Sequence, residues 1–162
     1  MPTKQPDKQP LPVASCLLFD ESGHILLLKR QAAKQGGGLW AVPGGKIEPA
    51  EDAATTMRRE VFEESGLQLD NADFLGVHEL RMPHGVVHMT TFKATTPSTV
   101  VAIKPDEHSA FGWFAPQQLL TTPRIIWGLP STLRDFGLMP DFGADPTLRD
   151  GSQIILLEDY VS

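Results

Sequence analysis

Three glutamates near the end of one predicted helix are the residues of this chain most suited to chemistry. At 100° per residue, Glu60, Glu63 and Glu64 fall on one side of a helix. Like charges at these spacings destabilise a helix, and the last turn of a helix disfavours anions. A bound divalent cation would remove that penalty, because carboxylate oxygens suit Mg²⁺ and Mn²⁺. For the glutamates taken alone, a solvated acidic face remains the alternative.

Two glycines upstream of this helix favour the metal-binding interpretation. Gly44 and Gly45 carry no side chain, so their backbone atoms can closely approach a cation or a phosphate. A further glutamate and an arginine separate the glycines from the acidic cluster. The full spacing is Gly45-x5-Glu51-x7-Arg59-Glu60-Val61-x-Glu63-Glu64-x-Gly66-Leu67.

This spacing resembles the signature of the Nudix (MutT-like) hydrolases, G-x5-E-x7-R-E-U-x-E-E-x-G-U with U apolar, at every specified position. The segment 39–48 and the run 112–114 are similar to the family as well, so the resemblance extends over residues 13–136. It implies the Nudix fold, an α+β fold in which an α/β/α sandwich contains a mixed sheet. It also implies an enzyme that uses Mg²⁺ or Mn²⁺ to cleave a nucleoside diphosphate linked to another group.

The resemblance also implies roles for individual residues of the signature. Arg59 would orient the glutamates by ion pairing, and Glu51 would order the site. Which carboxylate accepts a proton from the attacking water stays open among Glu63, Glu60 and Glu107, the last in the loop before Trp113. The implied metal ligands are Glu60, Glu64, Glu63 and the backbone carbonyl of Gly44 or Gly45.

Three further side chains are candidates for binding substrate, each with a structural alternative. Lys46 follows the glycine pair and could approach a phosphate, although a solvated lysine accounts for it equally well. Trp40 could stack on a base, and the alternative is a core aromatic. His88 could face a substrate pocket, and the alternative is a strand histidine with an ordinary partner.

The substrate class is narrowed only in part by these patterns. The Gly44–Glu48 segment looks closest to the branch that cleaves nucleoside triphosphates, including oxidised purine nucleotides. An ADP-ribose or nucleotide-sugar pyrophosphatase is the second candidate, because Pro83 lies at a spacing that resembles such relatives. A non-catalytic nucleotide-sensing module is the third. The intact signature argues against the third, and so does the lack of room for a DNA-binding domain after Phe136.

Hydrophobic periodicity predicts the elements that must position these residues. Apolar residues at helical spacing predict a helix over residues 50–64, closed by Gly66 as a left-handed cap. Two apolar runs, 13–20 and 24–30, predict a β-hairpin. Runs at 73–80, 86–94 and 112–114 predict three more strands, and short helices are expected near 116–120 and within 123–136. Strands before and after one strong helix predict an α+β fold or an α/β sandwich with a mixed sheet.

Composition limits the partners and the compartment. The chain has 162 residues and a net charge of −6, so a nucleic-acid polymer and an anionic membrane surface are not expected as partners. Its single cysteine and the absence of an apolar targeting segment predict a cytoplasmic protein.

We expect a mobile arm at 1–12, a catalytic domain at 13–136 and an acidic extension at 137–162. Residues 135–162 carry a net charge of −5, which the implied reaction does not explain. The apolar run 154–157 within this extension could pack on the core. Alternatively, it could pair with a second subunit in a homodimer.

Overall fold

A computed structural model describes residues 9–159. Two α-helices span Ala53–Ser65 (α1) and Leu129–Asp135 (α2), and a 3-10 helix spans Pro116–Leu120. The strands are Leu11–Phe19 (β1), Ile25–Arg30 (β2), Trp40–Ala41 (β3), Gly44–Lys46 (β4), Asp73–Met82 (β5), Gly85–Thr95 (β6), His108–Phe114 (β7) and Gln153–Asp159 (β8). Of the expected arm 1–12, residues 1–8 lie outside the described range, and Leu11 and Pro12 belong to β1.

In the described part of the chain the strands form one mixed sheet with the order β3-β2-β1-β6-β5-β8. Strands β1 and β6 run parallel, and the other pairings are antiparallel. Strand β4 pairs with β1, and β7 pairs with β2. The expected hairpin of β1 and β2 is limited to a pairing of Phe19 with Ile25, because β1 then turns to β4 and β6.

Helices cover both faces of the sheet, because alternate residues of β1 and β2 point to opposite sides. Cys16 and Leu18 pack with Met57 and Val61 of α1 on one face. Leu17 and Phe19 pack on the other face in a second buried cluster, which includes the 3-10 helix and α2. The prediction of an α/β/α sandwich with a mixed sheet is therefore confirmed.

Helix α1 has a defined cap at each end. The Asp52 side chain accepts a hydrogen bond from the backbone N–H of Thr55 at 2.8 Å. Gly66 adopts φ +77° and donates its N–H to the carbonyl of Phe62, as predicted for a left-handed cap. The helix begins at Ala53 rather than at residue 50, because Asp52 adopts extended geometry as the N-cap. Glu51 therefore precedes the helix, and its side chain can turn back toward Arg59.

The segment after α2 packs against its own chain. Asp145 accepts hydrogen bonds from the backbone N–H and the hydroxyl of Ser131 at 3.0 and 2.6 Å. Thr147 accepts one from the backbone N–H of Gly128 at 2.8 Å. Strand β8 then pairs antiparallel with β5. Part of the acidic charge of this extension thus holds it against α2, because its carboxylates serve as hydrogen-bond acceptors.

No helix within residues 9–159 is long and apolar enough to cross a membrane.

Candidate active site

Glu64 is the most enclosed of the clustered glutamates. It lies in the last turn of α1 and is 7% exposed. Its Oε1 accepts a hydrogen bond from the backbone N–H of Gly44 at 3.0 Å. Burial raises the pKa of the Glu64 carboxyl to about 8, although the Gly44 hydrogen bond favours the ionised form. The carboxyl group is therefore oriented by the glycine turn, the Gly44–Gly45 pair with which β4 begins.

Glu60 lies one helical turn earlier and packs on the second glycine of that turn. A Cβ placed on Gly45 would lie 2.5 Å from Glu60 Oε1, so a side chain here would displace this carboxylate. Burial raises the pKa of Glu60, and the neighbouring Arg59 opposes that shift. The neighbouring charge of Glu60 adds to the raised pKa of Glu64. The two carboxyl groups thus share one small enclosed space beside Gly44 and Gly45.

Arg59 connects the carboxylates of Glu51, Glu60 and Glu63. Its Nε and Nη2 donate to the two oxygens of Glu51 at 2.9 and 2.8 Å. Its Nη1 donates to Glu60 Oε1 at 3.1 Å and to Glu63 Oε2 at 3.3 Å. The hydrogen bonds from Arg59 lower the pKa of Glu51. One guanidinium therefore holds three carboxylates, and Glu63 is the most exposed of them.

His108 is a residue of this site that the sequence analysis did not select. It begins β7, is 5% exposed, and places Nε2 3.4 Å from Glu64 Oε2. Burial lowers the pKa of His108, which favours the neutral imidazole. The available signal was its position directly after Glu107, at the first residue of β7. Side chains alternate along a strand, and that of His108 points toward Glu64 of α1. The hydrophobic pattern alone gave no reason to separate the two neighbours.

The other predicted residues occupy different places. Glu107 is exposed, and its charge contributes to the raised pKa of Glu64, so it lies close to the cluster. Lys46 is exposed at the end of β4, next to the glycine pair. The Trp40 ring packs edge-on against Phe114 at 5.2 Å between centroids, on the α2 side of the sheet.

His88 lies on β6, where it pairs with Pro12 of β1. Its Nε2 is 2.8 Å from Glu79 Oε1. Glu79 also accepts a hydrogen bond from Arg81 at 2.6 Å. Recorded contacts therefore join Glu51, Arg59, Glu60, Glu63, Glu64, Gly44 and Gly45, whereas Trp40 and His88 contact Phe114 and Glu79 instead.

The donor set suits a hard divalent cation, although the carboxylates are arranged around Arg59. Glu60 and Glu64 offer oxygen atoms beside Gly44 and Gly45. Within residues 9–159, no three His, Cys, Asp or Glu side chains already form a closed ligand set. A Mg²⁺ site does not need a closed set of protein ligands, because Mg²⁺ usually takes one or two carboxylates and completes its shell with water and phosphate oxygens.

Comparison with known families identifies this arrangement. The model of the NUDIX domain matches residues 9–136. The chain belongs to the Nudix family. That match covers the whole site described above, and it ends where α2 gives way to the C-terminal extension.

Curated Nudix relatives carry the names of hydrolases. The chain is 28% identical over 113 residues to the CTP pyrophosphohydrolase of Escherichia coli, covering 70% of this chain and 82% of that protein. It is 27% identical over 89 residues to the 8-oxo-dGTP diphosphatase of Proteus vulgaris, covering 55% of this chain and 80% of that protein. Together with the family match, these names show that the chain is a Nudix hydrolase.

Solved Nudix structures share the fold. A MutT protein from Methanosarcina mazei superposes with a TM-score of 0.67 at 26% identity, covering 80% of this chain and 91% of that one. A MutT Nudix hydrolase from Burkholderia pseudomallei superposes with a TM-score of 0.61 at 30% identity, covering 68% and 86%. The predictions of the Nudix family and the Nudix fold are both confirmed.

The two glycines of the turn should respond differently to alanine. In Gly45→Ala the new Cβ meets the movable end of Glu60, so we expect kcat to fall about tenfold or more through a misplaced carboxylate. In Gly44→Ala the Cβ meets the backbone oxygen of Ala14, so we expect a loss of about 1–3 kcal/mol of unfolding free energy. Steady-state kinetics and denaturant unfolding of both variants measure the difference. An active Gly45→Ala enzyme would contradict the contact with Glu60.

Proposed function

We propose that this Nudix hydrolase cleaves a phosphoanhydride bond of a nucleoside triphosphate, or of a similar nucleoside diphosphate derivative, and releases a nucleoside monophosphate. The observation that carries the proposal is the buried Glu64 carboxyl, held by the Gly44 N–H, with the Glu60 carboxyl packed beside it on Gly45. A structural helix gains nothing from two carboxyl groups in one enclosed space, whereas a cation-binding helix needs them.

Mg²⁺ or Mn²⁺ would be held by Glu60, Glu64 and Glu63 with the backbone carbonyl of Gly44 or Gly45. When bound, such an ion neutralises phosphate charge and lowers the pKa of a coordinated water. The chain's contribution is to keep the carboxylates in place before the ion arrives. The Gly44 N–H orients Glu64, and the packing against Gly45 positions Glu60.

We assign proton acceptance from the attacking water to Glu63, with Glu107 as the other candidate. Glu63 is the most exposed carboxylate that Arg59 binds, so water can reach it while the guanidinium limits its rotation. Glu107 is exposed and close enough to raise the pKa of Glu64. Comparing kcat in Glu63→Gln and Glu107→Gln decides between them, because replacing the residue that acts as the base should lower kcat at least about a hundredfold.

A free nucleoside triphosphate is the proposed substrate for two reasons. The relatives described above are named for CTP and 8-oxo-dGTP, and the Gly44–Glu48 segment resembles that branch. Lys46, exposed beside the glycine turn, would contact a phosphate. The net charge of −6 disfavours a nucleic-acid polymer, and we propose that the enzyme works on the cytoplasmic nucleotide pool.

The test is a substrate panel with and without metal. CTP, 8-oxo-dGTP, the ordinary triphosphates, ADP-ribose and a nucleotide sugar are ranked by kcat/KM in Mg²⁺, in Mn²⁺ and in EDTA. We expect a triphosphate to rank first, a nucleoside monophosphate as product, and no turnover in EDTA. A first rank for ADP-ribose would support the pyrophosphatase alternative instead. Turnover that persists in EDTA would contradict the proposed role of the glutamates.

A further inference from the structure

The imidazole of His108 is a buried polar group that projects from the first residue of β7 toward Glu64 in the last turn of α1. The residue is 5% exposed, and its Nδ1 has no hydrogen-bond partner among residues 9–159. Burying a polar nitrogen without a partner destabilises a fold, so an apolar side chain would serve packing alone better. The other nitrogen, Nε2, is therefore the atom through which a histidine is useful at this position.

The Glu64 carboxyl group is approached by one nitrogen at each of its oxygens. The backbone N–H of Gly44 donates to Oε1 at 3.0 Å, and His108 Nε2 lies 3.4 Å from Oε2. The second distance is slightly longer than the distance of about 2.7–3.2 Å typical of an N–H···O hydrogen bond. Such contacts are often long in ligand-free active sites and shorten when the site is filled. An ionised carboxylate only accepts hydrogen bonds, so a neutral His108 would donate from Nε2.

The backbone around His108 is fixed on two sides. Its N–H donates to the carbonyl of Lys104 at 2.9 Å, and the residue pairs with Arg30 of β2. The preceding carbonyl, that of Glu107, accepts a hydrogen bond from the backbone N–H of Gln31 at 2.9 Å. A side chain on a backbone tied in this way can hold a neighbouring group in place.

The burial of His108 distinguishes it from the two candidate bases. Glu63 and Glu107 are accessible to water, whereas the His108 ring is enclosed. A group that accepts a proton from an attacking water must lie within hydrogen-bond reach of that water. The geometry of His108 therefore supports an action through Glu64 rather than on the reacting atoms.

We propose that His108 is a positioning residue of the hydrolase, whose Nε2 holds Oε2 of Glu64 as the Gly44 N–H holds Oε1. The carboxylate then keeps the orientation in which it can bind a divalent cation. Removing the hydrogen-bond partner of a metal ligand commonly lowers metal affinity or activity by about 10–100-fold. This role rests on the proposed metal site, and it adds a residue of β7 to the glutamates that α1 supplies.

Mn²⁺ titration of the full-length protein without nucleotide, followed by electron paramagnetic resonance, tests this role through binding alone. Leucine cannot donate a hydrogen bond, so in His108→Leu we expect the Mn²⁺ dissociation constant to rise at least about tenfold. In His108→Gln the amide nitrogen can take the place of the imidazole Nε2, so we expect most of the affinity to return. The values of kcat should follow the same order. KM for the nucleotide at saturating metal should change less than about twofold, because His108 does not touch substrate.

His78 supplies a matched control on the other face of the sheet. It is 1% exposed, its Nε2 lies 2.8 Å from Asp135 Oδ2, and its Nδ1 also lacks a partner within residues 9–159. Its ring packs edge-on against Phe136, which belongs to the buried cluster that includes α2. We expect His78→Leu to lower the free energy of unfolding and to leave the Mn²⁺ affinity unchanged. An equal loss of Mn²⁺ affinity in His78→Leu and His108→Leu would overturn the proposal, because general destabilisation would then explain both.

Unchanged Mn²⁺ affinity in His108→Leu would also overturn the proposal, and so would a His108→Gln variant as weak as His108→Leu. The double variant Glu64→Gln/His108→Leu should have the kcat of Glu64→Gln alone, because His108 acts through Glu64. Additive losses would mean that His108 acts on another group. A parent protein that binds no Mn²⁺ would contradict the metal site itself. Normal binding in the parent with no effect of His108→Leu would contradict only the role of His108.

Discussion

Glu64→Gln is expected to lower kcat at saturating Mg²⁺ by at least about a hundredfold while leaving the fold intact. Glutamine can still accept the hydrogen bond from the Gly44 N–H, so the glycine turn keeps its geometry. The amide cannot supply the negative charge that a divalent cation requires. Steady-state kinetics, together with Mn²⁺ titration followed by electron paramagnetic resonance, separate lost metal affinity from lost turnover. An active variant with normal Mn²⁺ affinity would contradict the role proposed for Glu64.

The same substitution should stabilise the metal-free protein at alkaline pH. The pKa of Glu64 is about 8 in the folded state, against an ordinary value of 4.5. Between these two pH values the native carboxyl keeps a proton that the unfolded chain has released, so stability falls as pH rises. Glutamine removes this dependence. We expect the free energy of unfolding of Glu64→Gln to exceed that of the parent protein by up to a few kcal/mol at pH 8–9 in EDTA. The difference should shrink toward pH 5.

A control glutamate makes this comparison specific. Glu21 is exposed in the turn between β1 and β2, so Glu21→Gln changes the net charge by the same amount at a solvated position. We expect this variant to keep its kcat and its pH–stability curve. A gain of alkaline stability in Glu21→Gln as large as in Glu64→Gln would indicate a general charge effect rather than burial of one carboxyl.

Arg59→Met is expected to lower kcat by about tenfold to a hundredfold without removing any carboxylate. Its guanidinium orients Glu51, Glu60 and Glu63 at once, so its loss releases all three. Arg59→Lys should recover little of that activity, because an ammonium group cannot reproduce the bidentate contact with Glu51. The measurement is kcat and KM for all variants, and we expect the larger change in kcat.

A double-mutant cycle tests whether Arg59 acts through Glu51. If Glu51 holds the guanidinium in place, Glu51→Gln lowers kcat and the double variant is no worse than Arg59→Met alone. Additive losses would mean that the two residues act separately. The direct contacts from Arg59 to Glu60 and Glu63 would then carry the whole effect.

Helix α1 could be predicted in detail because its determinants are local. Apolar spacing, the cap at Gly66 and the order of the acidic residues all act within one turn or two of the chain. The predicted start at residue 50 lies three residues before Ala53, because Asp52 is the N-cap and accepts a hydrogen bond through its side chain. The strand-rich regions were also recognised, but their pairing depends on partners far apart in sequence, such as β1 with β6.

The family and the reaction class could thus be predicted from residue types at fixed local spacing, and the same spacing groups the glutamates of α1. The tertiary structure is what makes the pKa values and the neighbours of these glutamates differ from one another. Burial against Gly44 raises the pKa of Glu64, and proximity brings His108 beside it.

The structure also decided where the acidic extension lies. Its carboxylates bind α2, β8 completes the edge of the sheet at β5, and Arg149 reaches Trp127. None of these contacts has a local signal, because each joins residues that only the folded chain brings together.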